Sequence, residues 1–180
     1  MMEKQLIEGC KRGDRKAQKE LYEMYSRKMM GVCLRYIGDR ETARDLLQDG
    51  FIKVFTSIDS YSGNGSFEGW IRKIFVNCAL EYLRKSDVLR EAVGFDLSID
   101  QIGFDDLIIS EISASELLKL VQDLPNSLRA VFNLFAIEGY SHKEVAKMMD
   151  ISESTSRSQY VRAKQLLQSR INELYGLGRV

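Results

Sequence analysis

Proline is nearly absent from this chain: Pro125 is the only one in 180 residues. A proline inside a helix costs about 3 kcal/mol, so a chain with a single proline can form long helices without interruption. Apolar side chains recur at spacings of three and four residues, which is the period of one buried helix face. One such series is Leu21, Tyr25, Met29, Val32, Cys33 and Tyr36. No segment requires a strand, and we predict an all-α protein.

The residue types that catalysis and metal binding require are scarce. The chain has one histidine, His142, and three widely spaced cysteines without a C-x-x-C pair. This composition argues against a zinc site and against a histidine-based triad. The sequence also lacks the glycine motifs that bind nucleotide phosphates. We therefore expect no catalytic residue, no metal and no cofactor, and we predict that the protein is not an enzyme.

The longest apolar stretch is too short for a membrane span. It covers about residues 74–83 and contains Asn77 and Glu81, whereas a membrane helix needs roughly 18 apolar residues. The N-terminus has no basic segment followed by an apolar core. We expect a cytoplasmic protein with no direct membrane insertion.

The N-terminal half is predicted to be helical with one polar loop. A helix over 3–38 is expected to break near Gly13, and Asp39 is a suitable N-cap for a helix from Arg40 to about Ser57. Residues 59–66 are rich in turn formers, and a further helix is expected from about Phe67 to Arg84.

The helical period is lost after this half. Residues 88–113 contain glycines and acidic residues without a clear apolar face. Residues 88–123 carry a net charge of −6, while the segments on either side carry +3 each. We predict an acidic linker over 88–113 between two mildly basic domains, a pattern compatible with nucleic-acid contact at both ends.

Local start and stop signals divide the rest of the chain into helices. Ser113 and Glu116 form a capping box, which predicts a helix from about Ala114 to Asp123. Pro125 fits the first position of the next helix, which is expected to end at Gly139.

A helix-turn-helix is predicted next. A second capping box, Ser141 to Glu144, opens a short helix through Met149, and Ser152 can cap a longer helix from Glu153 to about Tyr175. Two helices joined by so short a turn form a helix-turn-helix. The expected core between them is Val145, Met149, Ile151, Val161, Leu166 and Leu167.

The second helix of this pair has polar and basic side chains in its N-terminal half, where a recognition helix meets DNA. Hydroxyl and amide groups can hydrogen-bond to base edges, while arginine and lysine neutralise phosphates. The alternative is a plain surface helix in a helical hairpin. The predicted DNA-binding residues are Ser154, Thr155, Arg157, Ser158, Gln159, Arg162 and Lys164.

Two segments resemble bacterial RNA polymerase sigma factors. Residues 124–171, with the motif Glu-Gly-Tyr-Ser-His-Lys-Glu-Val-Ala-Lys-Met-Met-Asp-Ile-Ser, resemble region four of that family. Residues 15–87 resemble region two, through Ala-Arg-Asp-Leu-Leu-Gln-Asp-Gly-Phe at 43–51 and Phe-Glu-Gly-Trp-Ile-Arg-Lys-Ile at 67–74. The order of region two, a short linker and region four is similar to that of the extracytoplasmic-function (ECF) group. Ser156 departs from the family, where that position is usually aliphatic.

The resemblance implies region two over 1–87, a linker over 88–113 and region four over 114–180. It implies a transcription initiation factor that binds core RNA polymerase, directs it to specific promoters and helps melt the −10 element. The implied partners are core RNA polymerase, promoter DNA (double-stranded at the −35 element, single-stranded at the −10 element) and an anti-sigma factor. Region four would bind the −35 element through the DNA-binding residues given above.

The resemblance also assigns residues in region two. The implied core-polymerase contacts are Asp45, Gln48, Asp49 and Lys53. The implied contacts with −10 DNA are Asn64, Ser66, Phe67, Trp70, Lys73, Asn77 and Arg84. For Trp70, a buried role that positions the loop is the alternative.

A second reading of the whole chain remains open at this point. A free-standing helix-turn-helix transcriptional regulator, with an N-terminal helical domain for sensing or dimerisation, explains residues 124–175 equally well. It leaves the polar stripe of Asp45, Gln48 and Asp49, and the loop before Phe67, without an explanation.

Overall fold

The computed structural model of the chain describes residues 2–85 and 113–176. Within those ranges the regular structure is helical and contains no strand, as the sequence predicted. The chain divides into two compact units, Met1–Tyr82 and Leu83–Val180. Apart from Ser113, the predicted linker lies outside the described residues, and the predicted domain boundaries stay a prediction.

The first unit is built from four α-helices and one short 3-10 helix. The α-helices are α1 (Glu3–Lys11), α2 (Arg15–Tyr36), α3 (Arg40–Ser57) and α4 (Phe67–Lys85), and the 3-10 helix is Ile58–Ser60. The predicted break near Gly13 is confirmed, because Gly13 adopts a positive φ of 76° that favours glycine. Asp39 caps α3 as predicted, with its carboxylate accepting from the Thr42 amide at 2.8 Å.

Aromatic rings fill the core of the first unit. Phe75 of α4 packs edge-on against Phe51 of α3, with ring centroids 5.3 Å apart. Gly50 permits this approach: a Cβ at that position would lie 2.2 Å from the Phe75 ring. Since carbon atoms normally approach to about 3.5–4.0 Å, only glycine fits here without a shift of the ring. The close packing of α3 on α4 leaves the opposite face of α3 exposed.

In residues 113–176, the second unit contains four α-helices, α5 (Ala114–Gln122), α6 (Asn126–Phe132), α7 (His142–Met149) and α8 (Glu153–Tyr175). A π-helical segment, Asn133–Ile137, continues α6, and the sequence did not predict it. Both predicted capping boxes are confirmed, at Ser113 and at Ser141. Pro125 was predicted at the first helical position but is the N-cap residue, with ψ at 143°, and the helix begins at Asn126.

Arg129 is a buried cation that organises the start of α6. Its side chain is 6% exposed, and Nη1 donates to the backbone carbonyls of Gln122 at 2.6 Å and Leu124 at 3.4 Å. Those carbonyls lie at and just beyond the C-terminal end of α5, where a positive charge is favourable. Arg129 therefore ties the end of α5 to α6.

The core of the helix-turn-helix is only partly the predicted one. Val145, Met149 and Leu167 are buried, and Leu166 packs against the core from its edge. The prediction for Val161 is wrong, because its side chain is 49% exposed. Its place in the helical period puts it one turn after Ser158 and two turns after Ser154, on the outer face of α8.

Candidate nucleic-acid and polymerase-binding surfaces

An exposed stripe runs along α3, opposite its buried face. Asp45, Gln48 and Asp49 are all exposed, at spacings of three and four residues that place them on one side of the helix. Ile52 continues this stripe, and its side chain is 60% exposed. An exposed isoleucine bordered by carboxylates is typical of an interface, where an apolar contact is surrounded by polar groups. Ile52 was not among the polymerase contacts predicted from the sequence.

Lys53 lies beside the stripe but is engaged within the unit. Its Nζ is 2.7 Å from Oε2 of Glu81 on α4. The hydrogen bond to Glu81 raises the pKa of Lys53, so the cation is retained at neutral pH. Lys53 therefore links α3 to α4, and it is less available to a partner than the carboxylates.

The loop between the 3-10 helix and α4 has a defined backbone. Gly63 and Gly65 both adopt a φ of +81°, a conformation that other L-residues rarely adopt, and Asn64 is exposed between them. The Tyr61 hydroxyl donates to the Gly65 carbonyl at 2.8 Å, and the Ser66 hydroxyl accepts from the Gly69 amide at 3.0 Å. Both ends of the loop are thus held, while the Asn64 side chain faces solvent.

A cavity of about 430 Å³ is lined by this loop and by α1. The residues that line it include Tyr61, Gly63 and Gly65 of the loop and Lys4 and Lys11 of α1. Lys11 Nζ also donates to the Tyr61 carbonyl at 3.5 Å. The volume lies in the range of small-ligand sites and can hold a nucleotide base.

Helix α4 presents a polar stripe that begins at this loop. Lys73, Asn77 and Arg84 are exposed, and their spacing places them on the same side as Trp70. Trp70 is half-buried and stacks on Phe67, with centroids 5.5 Å apart. A half-buried indole can position the loop and still offer part of its ring to a base.

Phe67 does not lie on the surface where the sequence placed it. Its side chain is 1% exposed, and it is packed between Tyr25, Tyr61 and Trp70. A side chain this deeply buried cannot line a DNA strand while the unit keeps its fold. The contact predicted for Phe67 is therefore corrected to a supporting role beneath the loop.

Helix α8, the predicted recognition helix, follows a tight turn of the predicted kind. Asp150 adopts a left-handed conformation, with φ 56° and ψ 48°, which aspartate tolerates better than most residues. Ser152 caps α8 by accepting from the Thr155 amide at 3.0 Å. The N-terminal turn of α8 is thereby fixed relative to α7.

The outer face of α8 combines hydroxyls with one apolar side chain. Ser154, Ser158 and Val161 are exposed and share this face. Hydroxyls can pair with either kind of base-edge group, and an aliphatic side chain can contact a thymine methyl. The exposed Val161 is the residue on this face that the sequence analysis missed.

The basic and amide residues predicted on α8 differ in how far they are engaged within the unit. Arg157 pairs with Glu153 one turn earlier, at 2.5 Å, and both remain largely exposed. Lys164 lies over the Tyr160 ring, 5.4 Å from its centroid. Thr155 and Arg162 are half-exposed. Gln159 is half-buried, and its Oε1 is buried without a hydrogen-bond partner, so its carboxamide would have to turn outward to meet a base.

Neither a metal centre nor a membrane helix emerges from the described part of the chain. In residues 2–85 and 113–176, no three His, Cys, Asp or Glu side chains form a group that could hold a metal ion. None of the helices in those ranges combines the length and the apolar character of a membrane span.

Comparison with known proteins identifies both units. The family Sigma-70 region 2 matches residues 21–88, and the family Sigma-70, region 4 matches residues 114–167. The ECF RNA polymerase sigma-E factor of Haemophilus influenzae is 33% identical over 181 residues, covering 94% of this chain and 95% of that protein. The RNA polymerase sigma-H factor of Pseudomonas aeruginosa is 29% identical over 184 residues, covering 96% and 95% respectively.

Solved structures share the fold. The sigma factor RpoE of Bartonella quintana, in complex with the anti-sigma factor NepR, aligns with a TM-score of 0.53 at 19% identity, over 89% of this chain and 98% of that one. CnrH, in complex with the cytosolic domain of CnrY, aligns with a TM-score of 0.50 at 18% identity, over 93% and 96%.

The alternative of a free-standing helix-turn-helix regulator is not supported by these comparisons. The region 2 match covers the N-terminal residues that this alternative left unexplained. Similarity to the sigma-E relative extends over nearly the whole length of both proteins. The chain therefore belongs to the ECF group of RNA polymerase sigma factors, which are transcription initiation factors.

Proposed function

We propose that each of three exposed surfaces has its own binding function in transcription initiation. The α3 stripe, with Asp45, Gln48 and Asp49, docks on core RNA polymerase. The loop 61–66 and the α4 stripe open and hold the −10 element. Helix α8 reads the −35 element. The domains that carry these surfaces are region two over 1–87 and region four over 114–180, joined by a linker over 88–113.

The observation that carries this proposal is the α3 stripe. Two carboxylates, an amide and an exposed isoleucine share one side of a helix whose other side is buried. Exposed charges on a helix are ordinary, but a large exposed isoleucine among them favours a partner that covers it. A DNA phosphate backbone would be repelled by Asp45 and Asp49, so we assign this surface to the polymerase.

The −10 element is proposed to be held as single-stranded DNA. Asn64 offers a donor and an acceptor to a base edge, and the cavity beside Gly63 and Gly65 has room for one extruded base. Stacking on an aromatic side chain is worth about 1–3 kcal/mol per base, and Trp70 presents such a ring. This is comparable with the cost of unstacking, so strand opening needs no catalytic group of this protein.

The −35 element is proposed to be read as duplex DNA by the outer face of α8. Ser154, Ser158 and Val161 face the base edges, while Arg157, Arg162 and Lys164 neutralise phosphates or contact guanine. Thr155 and Gln159 flank this face. When Arg157 binds a DNA phosphate it leaves its ion pair with Glu153, because the phosphate and the carboxylate compete for the same guanidinium.

An anti-sigma factor is proposed as a further partner. Two of the similar solved structures are complexes, one with the anti-sigma factor NepR and one with the cytosolic domain of CnrY. We propose that this chain acts in the cytoplasm, without catalytic activity, and that a protein of this class holds it inactive.

Capture of core polymerase tests the α3 assignment. The full chain with Asp45→Lys and Asp49→Lys should stay folded, since exposed substitutions usually change stability by less than about 0.5 kcal/mol. It should nevertheless fail to retain core polymerase in a pull-down. Glu23→Lys, a charge reversal at an exposed residue of α2, is the control and should bind as the parent does.

Two results would contradict the assignment. The first is a folded double variant that retains core polymerase with parental affinity. The second is an equal loss in the Glu23→Lys control, which would show a general effect of charge rather than a docking surface on α3.

A further inference from the structure

His142 connects three segments of the helix-turn-helix unit. Its ring stacks on Phe135 of the π-helical segment, with centroids 4.0 Å apart and planes inclined by 10°. It also lies 5.8 Å from the Tyr160 ring of α8. Nδ1 of His142 is 2.9 Å from Oγ of Ser156 on α8, a residue with 0% exposure. One side chain at the start of α7 thus contacts the segment before it and the recognition helix after it.

The position of Ser156 determines how the N-terminal part of α8 is rotated about the helix axis. It lies between Thr155 and Arg157, on the inner side of the turn whose outer side faces the proposed DNA. Side-chain directions around a helix are fixed relative to one another. Whatever holds Ser156 therefore sets the rotation of that turn about the helix axis, and with it the direction of the reading residues.

The bond between His142 and Ser156 is directional, whereas apolar packing is not. Burial of the ring and the nearby charge of Arg157 lower the pKa of His142, while Glu153 acts in the opposite direction. The lowered pKa favours the neutral ring, with one nitrogen that donates and one that accepts. Either tautomer can pair with a hydroxyl, which both donates and accepts.

We propose that His142 and Ser156 form a polar clasp that orients the recognition helix, so that His142 is a positioning residue for −35 selectivity. The proposal rests on the proposed function, in which α8 reads the −35 element. Stacking on Phe135 anchors the ring, and the hydrogen bond transmits its position to α8. Without the bond, α7 and α8 still pack, but the rotation of α8 is less closely fixed.

Two variants separate orientation from stability. The double variant His142→Phe with Ser156→Ala keeps a ring that can stack on Phe135. Because both hydrogen-bonding partners are removed together, no buried polar group is left unsatisfied, and the two helices pack without a directional bond. His142→Asn keeps a donor and an acceptor near the position of Nδ1 but removes the ring. The first variant should be stable and poorly selective, and the second should be less stable and selective.

The measurement uses holoenzyme reconstituted with core polymerase. The probe is a duplex that the parental holoenzyme selects from a pool randomised over the −35 region, compared with a scrambled duplex of the same composition. Selectivity is the ratio of the two dissociation constants, and thermal unfolding of each free chain is followed by circular dichroism. The Phe/Ala variant should lose selectivity about tenfold, which corresponds to an interaction free energy within the range measured for pairs of residues in direct contact.

Two outcomes overturn the clasp. One is parental selectivity in the Phe/Ala variant. The other is selectivity that simply follows thermal stability across all variants, because His142 would then only stabilise the unit.

Arg157→Ala distinguishes a failure of the clasp from a failure of the proposed function, with Arg170→Ala near the end of α8 as its control. If Arg157→Ala loses selectivity and the Phe/Ala variant does not, the clasp alone is wrong. If neither Arg157→Ala nor the Phe/Ala variant changes selectivity, α8 is not the reader, and both proposals are wrong.

Discussion

Replacing Gly50 with alanine should destabilise the first unit, although alanine is the better helix former. The added Cβ would lie 2.2, 2.5 and 2.7 Å from three atoms of the Phe75 ring. The ring has 0% exposure and packs on Phe51, so it cannot move aside freely. Overpacking of a core costs about 1–3 kcal/mol, and three such close contacts place this site at the upper end. Subtracting about 1 kcal/mol for helix propensity leaves a net loss of about 2 kcal/mol.

The assay is urea unfolding followed by tryptophan fluorescence. Trp70 is the only tryptophan of the chain and lies in the first unit, so the signal reports that unit. Gly31→Ala is the matched control, because a Cβ there meets nothing within 4 Å and should stabilise α2 by about 0.5–1 kcal/mol. Adding Phe75→Leu to Gly50→Ala should recover part of the loss by making room. A Gly50→Ala variant as stable as Gly31→Ala would refute the reasoning.

Three further changes probe the second unit. In the parent, replacing −35 thymines with deoxyuracil should weaken holoenzyme binding by about 0.8 kcal/mol for each thymine methyl that Val161 contacts. Val161→Ala should bind the thymine and deoxyuracil duplexes equally well. Arg129→Met should lower the stability of the second unit by about 1–3 kcal/mol in thermal unfolding followed by circular dichroism, because the carbonyls of Gln122 and Leu124 lose a charged donor. The folded state lowers the pKa of His142 and so binds this proton less readily than the unfolded state. Stability should therefore fall as the pH drops from 7.5 to 5.5, and His142→Phe should abolish that slope.

Local signals in the sequence predicted where helices begin. Asp39, Ser113, Ser141 and Ser152 each cap a helix as expected, because capping depends on residues within three positions along the chain. The left-handed turn at Asp150 follows from the same kind of local chemistry. The helix-turn-helix could therefore be predicted almost completely in outline.

Contacts between distant residues could not be predicted in this way. An apolar residue on a helix is a core candidate by its type, but the packing of neighbouring helices decides which side is covered. Val161 was assigned to the wrong side for this reason, whereas the DNA contact predicted for Phe67 came from the family resemblance and is ruled out by the burial of the ring. The close approach of Phe75 to Gly50 and the bond of His142 to Ser156 join residues of different helices, and no local pattern reveals them.

The π-helical segment Asn133–Ile137 has no sequence signal that we recognise. It places Phe135 against His142, so it contributes directly to the proposed clasp. Of the candidate surfaces, the exposure of Asp45, Gln48 and Asp49 agrees with the sequence pattern. Their role in docking stays a prediction until a partner is tested.

Run-off transcription with purified components tests the central claim most directly. The full chain, core RNA polymerase and fragmented DNA from the source organism are combined, and transcript 5′ ends are mapped. The account predicts transcripts that depend on the chain and share one −10 and one −35 sequence. These transcripts should disappear when the double variant Asp45→Lys with Asp49→Lys replaces the parent, and they should persist with the Glu23→Lys control. Transcripts that the double variant still initiates at the same sites, or DNA binding by the chain without any core-dependent transcript, would contradict the account.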